Sequence, residues 1–220
     1  MRATWTLLTI LVAAVPAAAQ PAGSITGTIT AAPKRLPSIR VTIDPAVCGK
    51  ELPDEAILVD AKGGLANAVV TLTGVKAANP AEGTVSNDGC RFVPRVQVVR
   101  PNANLHASSE DPVLHTTQAL TATGQTIFNL AIPVPGITLA RPIGGAGVVR
   151  IACNIHQWMR GWVMVTDEAA AVTGLDGTFT LPNVPPGTYE LKVWHESLTT
   201  APQKVTVTAG KPTPVTVQMK

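Results

Sequence analysis

Residues 150–165 read RIACNIHQWMRGWVMV, and both ends of this stretch alternate between apolar and other side chains. Such period-two alternation predicts a strand on each side, over residues 147–152 and 161–165, with a loop between them. Inside the loop, Cys153, His156 and Met159 follow one another with two residues between each pair. A loop at one end of a β-sandwich can turn all three side chains toward one point.

These three side chains carry a thiolate, an imidazole and a thioether, a donor set that suits copper cycling between Cu(I) and Cu(II). A mononuclear site of this kind needs two histidines, one cysteine and a weak methionine ligand. The second histidine must therefore come from outside the loop. His106 and His115 are the two upstream candidates, and the residues alone leave both open.

The rest of the chain predicts an all-β protein. Period-two alternation recurs along most of it, and 19 prolines and 18 glycines separate the alternating runs. The length of 220 residues suits two small β-sandwiches. A hydrophobic content of 45% excludes a disordered chain, and a net charge of +3 without a Lys/Arg run argues against nucleic-acid binding. No nucleotide-binding or hydrolase motif occurs.

The N-terminus has the three parts of a secretory signal peptide. A basic Met1-Arg2 precedes an apolar stretch over residues 5–15, and small residues end at Ala19. We predict a signal peptide over 1–19, cleavage after Ala19 and a periplasmic or secreted protein without a transmembrane anchor. An uncleaved anchor or a lipoprotein is the alternative, although no cysteine at the cleavage site could carry a lipid.

The C-terminal part has a pattern of its own. Asp176-Gly177-Thr178-Phe179, followed by Val184-Pro185-Pro186-Gly187-Thr188-Tyr189 and two alternating strands, resembles the carboxypeptidase regulatory-like, or transthyretin-like, β-sandwich. The bland stretch over 167–172 lacks alternation and predicts a boundary between domains 20–167 and 168–220. Fifty residues are few for such a module, so the strand over 24–30 either completes it or belongs to the first domain.

The segment around Cys153, together with Asp111–His115 upstream, resembles the ligand segments of cupredoxins, and its loop spacing is that of amicyanin-like loops. The resemblance implies a Greek-key sandwich and one type 1 copper held by His115, Cys153, His156 and Met159. It also implies that His156 lies at the exposed end of the site, as the electron port. Two departures are Thr116, where cupredoxins commonly have Asn, and the absence of prolines beside His156.

The odd number of cysteines fits this assignment. If Cys153 is the metal ligand, Cys48 and Cys90 remain and most simply pair in an oxidising compartment. Closing that loop of about 43 residues would stabilise the fold by roughly 4 kcal/mol. Two free thiols, or a Cys48–Cys153 bridge that would remove the copper ligand, are the alternatives.

The expected function is one-electron transfer with a redox partner protein, without enzymatic activity. The domain order resembles bacterial periplasmic proteins labelled methylamine utilisation proteins. The alternative is a non-redox envelope module that delivers copper or binds carbohydrate or protein. Nitrite reduction would need further histidines, and only His106 and His195 remain.

We expect His195 at the surface or in a turn, with metal binding beside Glu196 as the lesser alternative. Trp158 and Trp162 are expected to shield the site or contact a partner.

Overall fold

The computed structural model describes residues 20–220, and the expected signal peptide over 1–19 lies outside them. The described residues form eighteen strands and one short helix, which confirms the all-β prediction. The elements in chain order are β1 Gly23–Ala31, β2 Ile39–Arg40, α1 Pro45–Cys48, β3 Glu51–Leu52, β4 Val69–Lys76, β5 Glu82–Asp88, β6 Arg91–Val93, β7 Val96–Val99, β8 Asn104–Ser109, β9 His115–Leu120, β10 Thr126–Ile132, β11 Leu139–Pro142, β12 Gly147–Ala152, β13 Arg160–Val165, β14 Glu168–Val172, β15 Thr178–Val184, β16 Gly187–Trp194, β17 Gln203–Val207 and β18 Pro212–Met219.

The first sandwich carries the Cys153 loop. One sheet has the strand order β10-β9-β12-β13-β7, and the other has the order β11-β8-β5-β6. Alternate residues of these strands point inward and form one apolar core, which includes Val85, Leu105, Ile132, Ile151 and Val163. The short pair β2 and β3 adds a separate two-stranded sheet.

The second sandwich combines strands from both ends of the chain. Its sheets have the orders β15-β1-β18 and β14-β4-β16-β17. A separate core, which includes Ile25, Leu72, Leu181, Leu191 and Val217, lies between them. The first sandwich is therefore inserted between β4 and β14 of the second.

The observed strand pairing assigns residues to the two sandwiches differently from the expected domains 20–167 and 168–220. Strand β1 pairs antiparallel with β15 and parallel with β18, so the strand over 24–30 completes the C-terminal sheet. Strand β4 also lies in the second sandwich, between β14 and β16. The side chains of β4 alternate over residues 69–73, as in a strand. Alternation, however, carries no information about which distant strand β4 pairs with.

The stretch over 167–172, which was expected to separate two domains, contains a strand. Residues 168–172 form β14, at the edge of its sheet. Its small alanine side chains give no hydrophobic alternation, which explains why the sequence pattern missed it. The turn expected at Asp176-Gly177 is present, and Gly177 has a φ of 75°. A Cβ there would lie 2.5 Å from the carbonyl oxygen of Ile29, so glycine is required.

The two sandwiches touch through a charged and an aromatic contact. The guanidinium of Arg95 donates two hydrogen bonds to the carboxylate of Glu196, and the rings of Trp162 and Trp194 meet edge to face. Among residues 20–220, no helix is long and apolar enough to cross a membrane.

Candidate metal centre

Strand pairing brings the two ligand segments to one end of the first sandwich. Strand β9 begins at His115 and runs antiparallel to β12, with Gln118 opposite Ala152. The start of β9 and the end of β12 therefore lie at the same end of the sheet. The loop over 153–159 begins at that end and leads into β13, which lies next to β12.

The structure brings three of the four expected ligands into one buried cluster. A nitrogen of His115, the sulfur of Cys153 and a nitrogen of His156 lie within 4.8 Å of one another. The fourth, Met159, is buried in the same core as Cys153, and its main-chain N–H donates to the carbonyl of His156. His106 lies instead on β8, with its Nε2 3.7 Å from a carboxylate oxygen of Glu82.

Each histidine of the cluster is held by a carboxylate at its Nε2. The distance from His115 Nε2 to Asp111 Oδ2 is 2.9 Å, and that from His156 Nε2 to Asp44 Oδ2 is 3.0 Å. An ionised carboxylate only accepts hydrogen bonds, so a neutral imidazole beside it carries its proton on Nε2 and keeps a free lone pair on Nδ1. His156 Nδ1 is 3.8 Å from Cys153 Sγ, and His115 Nδ1 is buried with no partner among the described residues.

The environment of Cys153 favours the thiolate. Burial opposes ionisation and by itself would raise the pKa of this thiol. The neighbouring His115 side chain, hydrogen bonds from the main-chain N–H groups of Thr116 and His156, and the Thr116 hydroxyl together outweigh that effect, and they lower the pKa of the thiol from 9.0 to about 6. The sulfur is therefore poised to bind a metal near neutral pH.

Thr116 connects the two ligand segments, although cupredoxins commonly have Asn there. Its main-chain N–H and its hydroxyl lie 3.4 Å and 3.6 Å from Cys153 Sγ. The same hydroxyl oxygen accepts a hydrogen bond of 2.8 Å from the main-chain N–H of Asn154. The shorter side chain thus bridges β9 to the loop.

The expectation that His156 is exposed was wrong. Its side chain has 0% exposure, because the carboxylate of Asp44 lies across its outer nitrogen. Trp158 covers another side, with its ring centroid 5.2 Å from that of His156, and its Nε1–H donates to the carbonyl of Cys90. Trp158 thus shields the centre, whereas Trp162 packs against Trp194.

Cys48 and Cys90 form the expected disulfide, and Cys153 is the free cysteine. This pairing excludes the alternative Cys48–Cys153 bridge and the alternative of two free thiols. The disulfide adjoins the centre, since its two sulfur atoms and a nitrogen of His156 lie within 4.8 Å of one another.

His195 is not at the surface, contrary to the expectation. It has 6% exposure, and its Nδ1 accepts a hydrogen bond from the main-chain N–H of Ser197. The expected alternative of metal binding beside Glu196 finds no support, because the Glu196 carboxylate is bound by Arg95.

Sequence reasoning missed the two carboxylates that hold the histidines. Asp111 precedes His115 by four residues, and this spacing within the resembling segment was the available signal. Asp44 lies 112 residues from His156, next to a four-residue helix, and no local pattern links the two.

The residues present fit a copper ion. Two imidazole lone pairs and an easily ionised thiol converge in an apolar core that also holds a thioether. The partnerless Nδ1 of His115 is the decisive observation, because a buried nitrogen acceptor without a donor is costly unless a ligand uses it.

The family comparison adds the second part of the chain. Residues 162–220 match the carboxypeptidase regulatory-like domain. This match covers about the last quarter of the chain and does not reach the loop that carries Cys153. The matched range begins inside β13 of the first sandwich and lacks β1 and β4, which the sheets of the second sandwich include.

No curated protein matches the chain. Similar solved structures include a purple cupredoxin from Nitrosopumilus maritimus, with 18% identity and a TM-score of 0.34 over 38% of this chain and 99% of that one. Amicyanin from Paracoccus versutus shows 14% identity and a TM-score of 0.34 over 44% and 96%. A copper-containing nitrite reductase from Thermus scotoductus shows 23% identity and a TM-score of 0.32 over 42% and 24%.

Proposed function

We propose that this chain binds one copper ion in a type 1 site and carries single electrons. His115, Cys153 and His156 would hold the ion, with Met159 as a weak fourth ligand. The observation that supports this most strongly is the convergence of two carboxylate-held histidines on a buried, easily ionised cysteine. Copper supplies a one-electron couple when it is bound to such a donor set.

The chain's own residues would keep the site nearly fixed during electron transfer. The two imidazoles are oriented from behind by Asp111 and Asp44, and the sulfur accepts hydrogen bonds from Thr116 and His156. Because the two imidazoles and the sulfur are buried in a close-packed interior, they resist movement when the charge of the site changes. Trp158 would help to exclude water.

We further propose a periplasmic or secreted location, a protein redox partner and no enzymatic activity. All three expected ligands of the cluster are buried, and Asp44 and Trp158 cover His156. This burial argues against a catalytic copper, which would need a position open to a substrate. A net charge of +3 for the whole sequence does not call for a strongly acidic docking partner.

The test is the visible spectrum of the chain from residue 20 onward after addition of Cu(II). We expect an intense thiolate-to-copper charge-transfer band that disappears in Cys153→Ser and in His115→Ala. His106→Ala is the matched control and should leave the band unchanged, because His106 lies outside the cluster.

Reversible reduction and reoxidation of the coloured form would separate an electron carrier from a copper-delivery protein. Absence of the band, or its persistence in Cys153→Ser, would refute the proposed site. Loss of the band in His106→Ala but not in His115→Ala would move the ligand assignment to His106.

A further inference from the structure

Asp44 occupies an unusual position for an aspartate at the start of a helix. It is the residue before α1, where an Asp side chain normally accepts a hydrogen bond from the first turn. Here the side chain makes no such bond and reaches His156 instead. Its backbone is also left-handed, with φ 53° and ψ 43°. A departure from local preference that serves a distant contact marks a functional constraint.

The helix that carries Asp44 is anchored next to the other carboxylate. The carbonyl of Asp44 accepts hydrogen bonds from the N–H groups of Val47 and Cys48, and Cys48 is bonded to Cys90. The N–H of Cys90 in turn donates to Asp111 Oδ2, the oxygen that holds His115. One covalent bridge therefore links the segments that orient the two histidines.

The two contacts have equivalent geometry. In each, an aspartate oxygen lies about 3 Å from Nε2, and the opposite nitrogen of His156 is 3.8 Å from Cys153 Sγ. The ring centroids of His115 and His156 are 4.5 Å apart. Without Asp44, the ring of His156 could turn over and direct its Nε2 lone pair inward, and its outer edge would be open to water.

We propose that Asp44 is a positioning residue of the metal centre: it fixes the tautomer and orientation of His156 and closes the outer edge of that ring. The aspartate does not bind the metal. It acts through His156, as a carboxylate that makes the imidazole a better donor and holds Nδ1 toward Cys153. The effect of Asp44 on a bound copper rests on the proposed copper function. Its effect on the tautomer and orientation of His156 applies to the metal-free chain as well.

The first experiment uses metal-free protein labelled with ¹⁵N in histidine. Long-range ¹H–¹⁵N correlation spectra should show His115 and His156 as Nε2–H tautomers. In Asp44→Ala the His156 signals should shift toward a mixture of tautomers while the His115 signals stay unchanged. Asp44→Asn, whose amide oxygen can still accept from Nε2–H, should retain the Nε2–H form. Glu110→Gln, which changes an exposed carboxylate beside Asp111, is the control for charge alone.

The second experiment measures the reduction potential of the copper-loaded variants. Loss of the carboxylate weakens the donation of His156 to Cu(II), so the potential should shift to more positive values in Asp44→Asn and further in Asp44→Ala. Glu110→Gln should produce a smaller shift than either. An Asp44→Ala variant with wild-type tautomers and wild-type potential would overturn the proposal.

The two experiments separate the two hypotheses. If the wild-type chain fails to bind copper but the tautomers respond to Asp44 as expected, the copper function fails and the positioning role stands. If copper binds normally and His156 is the Nδ1–H tautomer in the wild-type chain, the positioning role fails and the copper function stands. Asp44→Asn keeps the test valid if Asp44→Ala does not fold.

Discussion

At the scale of single residues, Thr116 connects the start of β9 to the loop that carries Cys153. Its hydroxyl oxygen accepts from Asn154 N–H, and the hydroxyl and main-chain N–H both approach Cys153 Sγ. The side chain of Thr is shorter than that of Asn. It still reaches the loop, because the main-chain nitrogen of Asn154 lies 2.8 Å from the Thr116 hydroxyl oxygen. The hydroxyl thus couples loop position to the ionisation of the sulfur.

Replacing Thr116 with Val tests this coupling. Val keeps the shape but leaves Asn154 N–H without its acceptor and removes one hydrogen bond to sulfur. We expect a loss of about 1–2 kcal/mol in the free energy of unfolding. We also expect the pKa of Cys153 to rise from about 6 toward 9.0. Chemical denaturation and the pH dependence of thiolate absorbance in metal-free protein measure the two effects.

Thr116→Ser is the matched control, because it restores the hydroxyl and should lie close to the wild type in both measurements. A pKa that is the same in the Val variant as in the wild type would show that the hydroxyl does not stabilise the thiolate.

The sequence predicted the cluster at this scale because its chemistry is local. Cys153, His156 and Met159 share one loop, and their spacing is visible without any fold. His115 needed the resemblance to be preferred over His106. Asp44 was out of reach, because its contact with His156 exists only after the first sandwich has closed.

At the scale of elements, the disulfide joins helix α1 to the turn between β5 and β6. Cys48 ends α1 and Cys90 lies in that turn, at a sequence separation of 42. Each cysteine also contacts, through its own N–H, an aspartate that holds one histidine. The bridge therefore supports both the fold of the first sandwich and the orientation of the metal centre.

The double variant Cys48→Ala/Cys90→Ala should lose about 4 kcal/mol of unfolding free energy on the chain-entropy model. It should also show mixed tautomers for His156, because α1 is no longer anchored beside the centre. Denaturant unfolding and the ¹⁵N spectra of metal-free protein measure these effects. Glu110→Gln, which leaves the disulfide in place, is the control. Unchanged stability would contradict the role assigned to the bridge.

Strands were predictable where side chains alternate and not where they are uniform. Strand β12 was expected at its observed bounds, and the strand expected over 24–30 is β1. Strand β14 was missed because three successive alanines carry no alternation. The partners of β1 and β4 required the structure, since pairing across more than a hundred residues depends on packing of the whole core.

At the scale of the whole molecule, the contact between the sandwiches includes a buried ion pair. Arg95 and Glu196 form two hydrogen bonds of 2.6 and 2.9 Å, and their side chains are only 13% and 4% exposed. Trp162 of the first sandwich meets Trp194 of the second beside this pair. His195 lies between Trp194 and Glu196 in the chain and is buried at the same junction.

His195 should make the stability of the molecule depend on pH. Burial lowers the pKa of its imidazole below 6.5, the nearby Arg95 lowers it further, and Glu196 offsets part of this effect. Above about pH 7.5 the ring is almost fully neutral in both states and contributes no pH dependence. As the pH falls through 6.5, the unfolded chain binds a proton that the folded chain does not, so stability decreases.

The His195→Asn variant isolates this contribution, because its amide oxygen can accept the Ser197 N–H bond that His195 Nδ1 accepts in the wild type. Between about pH 7 and pH 5, the unfolding free energy of the variant should fall less steeply than that of the wild type. Above about pH 7.5 the difference between the two proteins should be independent of pH, which provides the internal control. Denaturant unfolding of metal-free protein across this range measures the slopes. Parallel slopes would mean that His195 takes up its proton equally well in the folded state, and that the junction between the sandwiches is open to water.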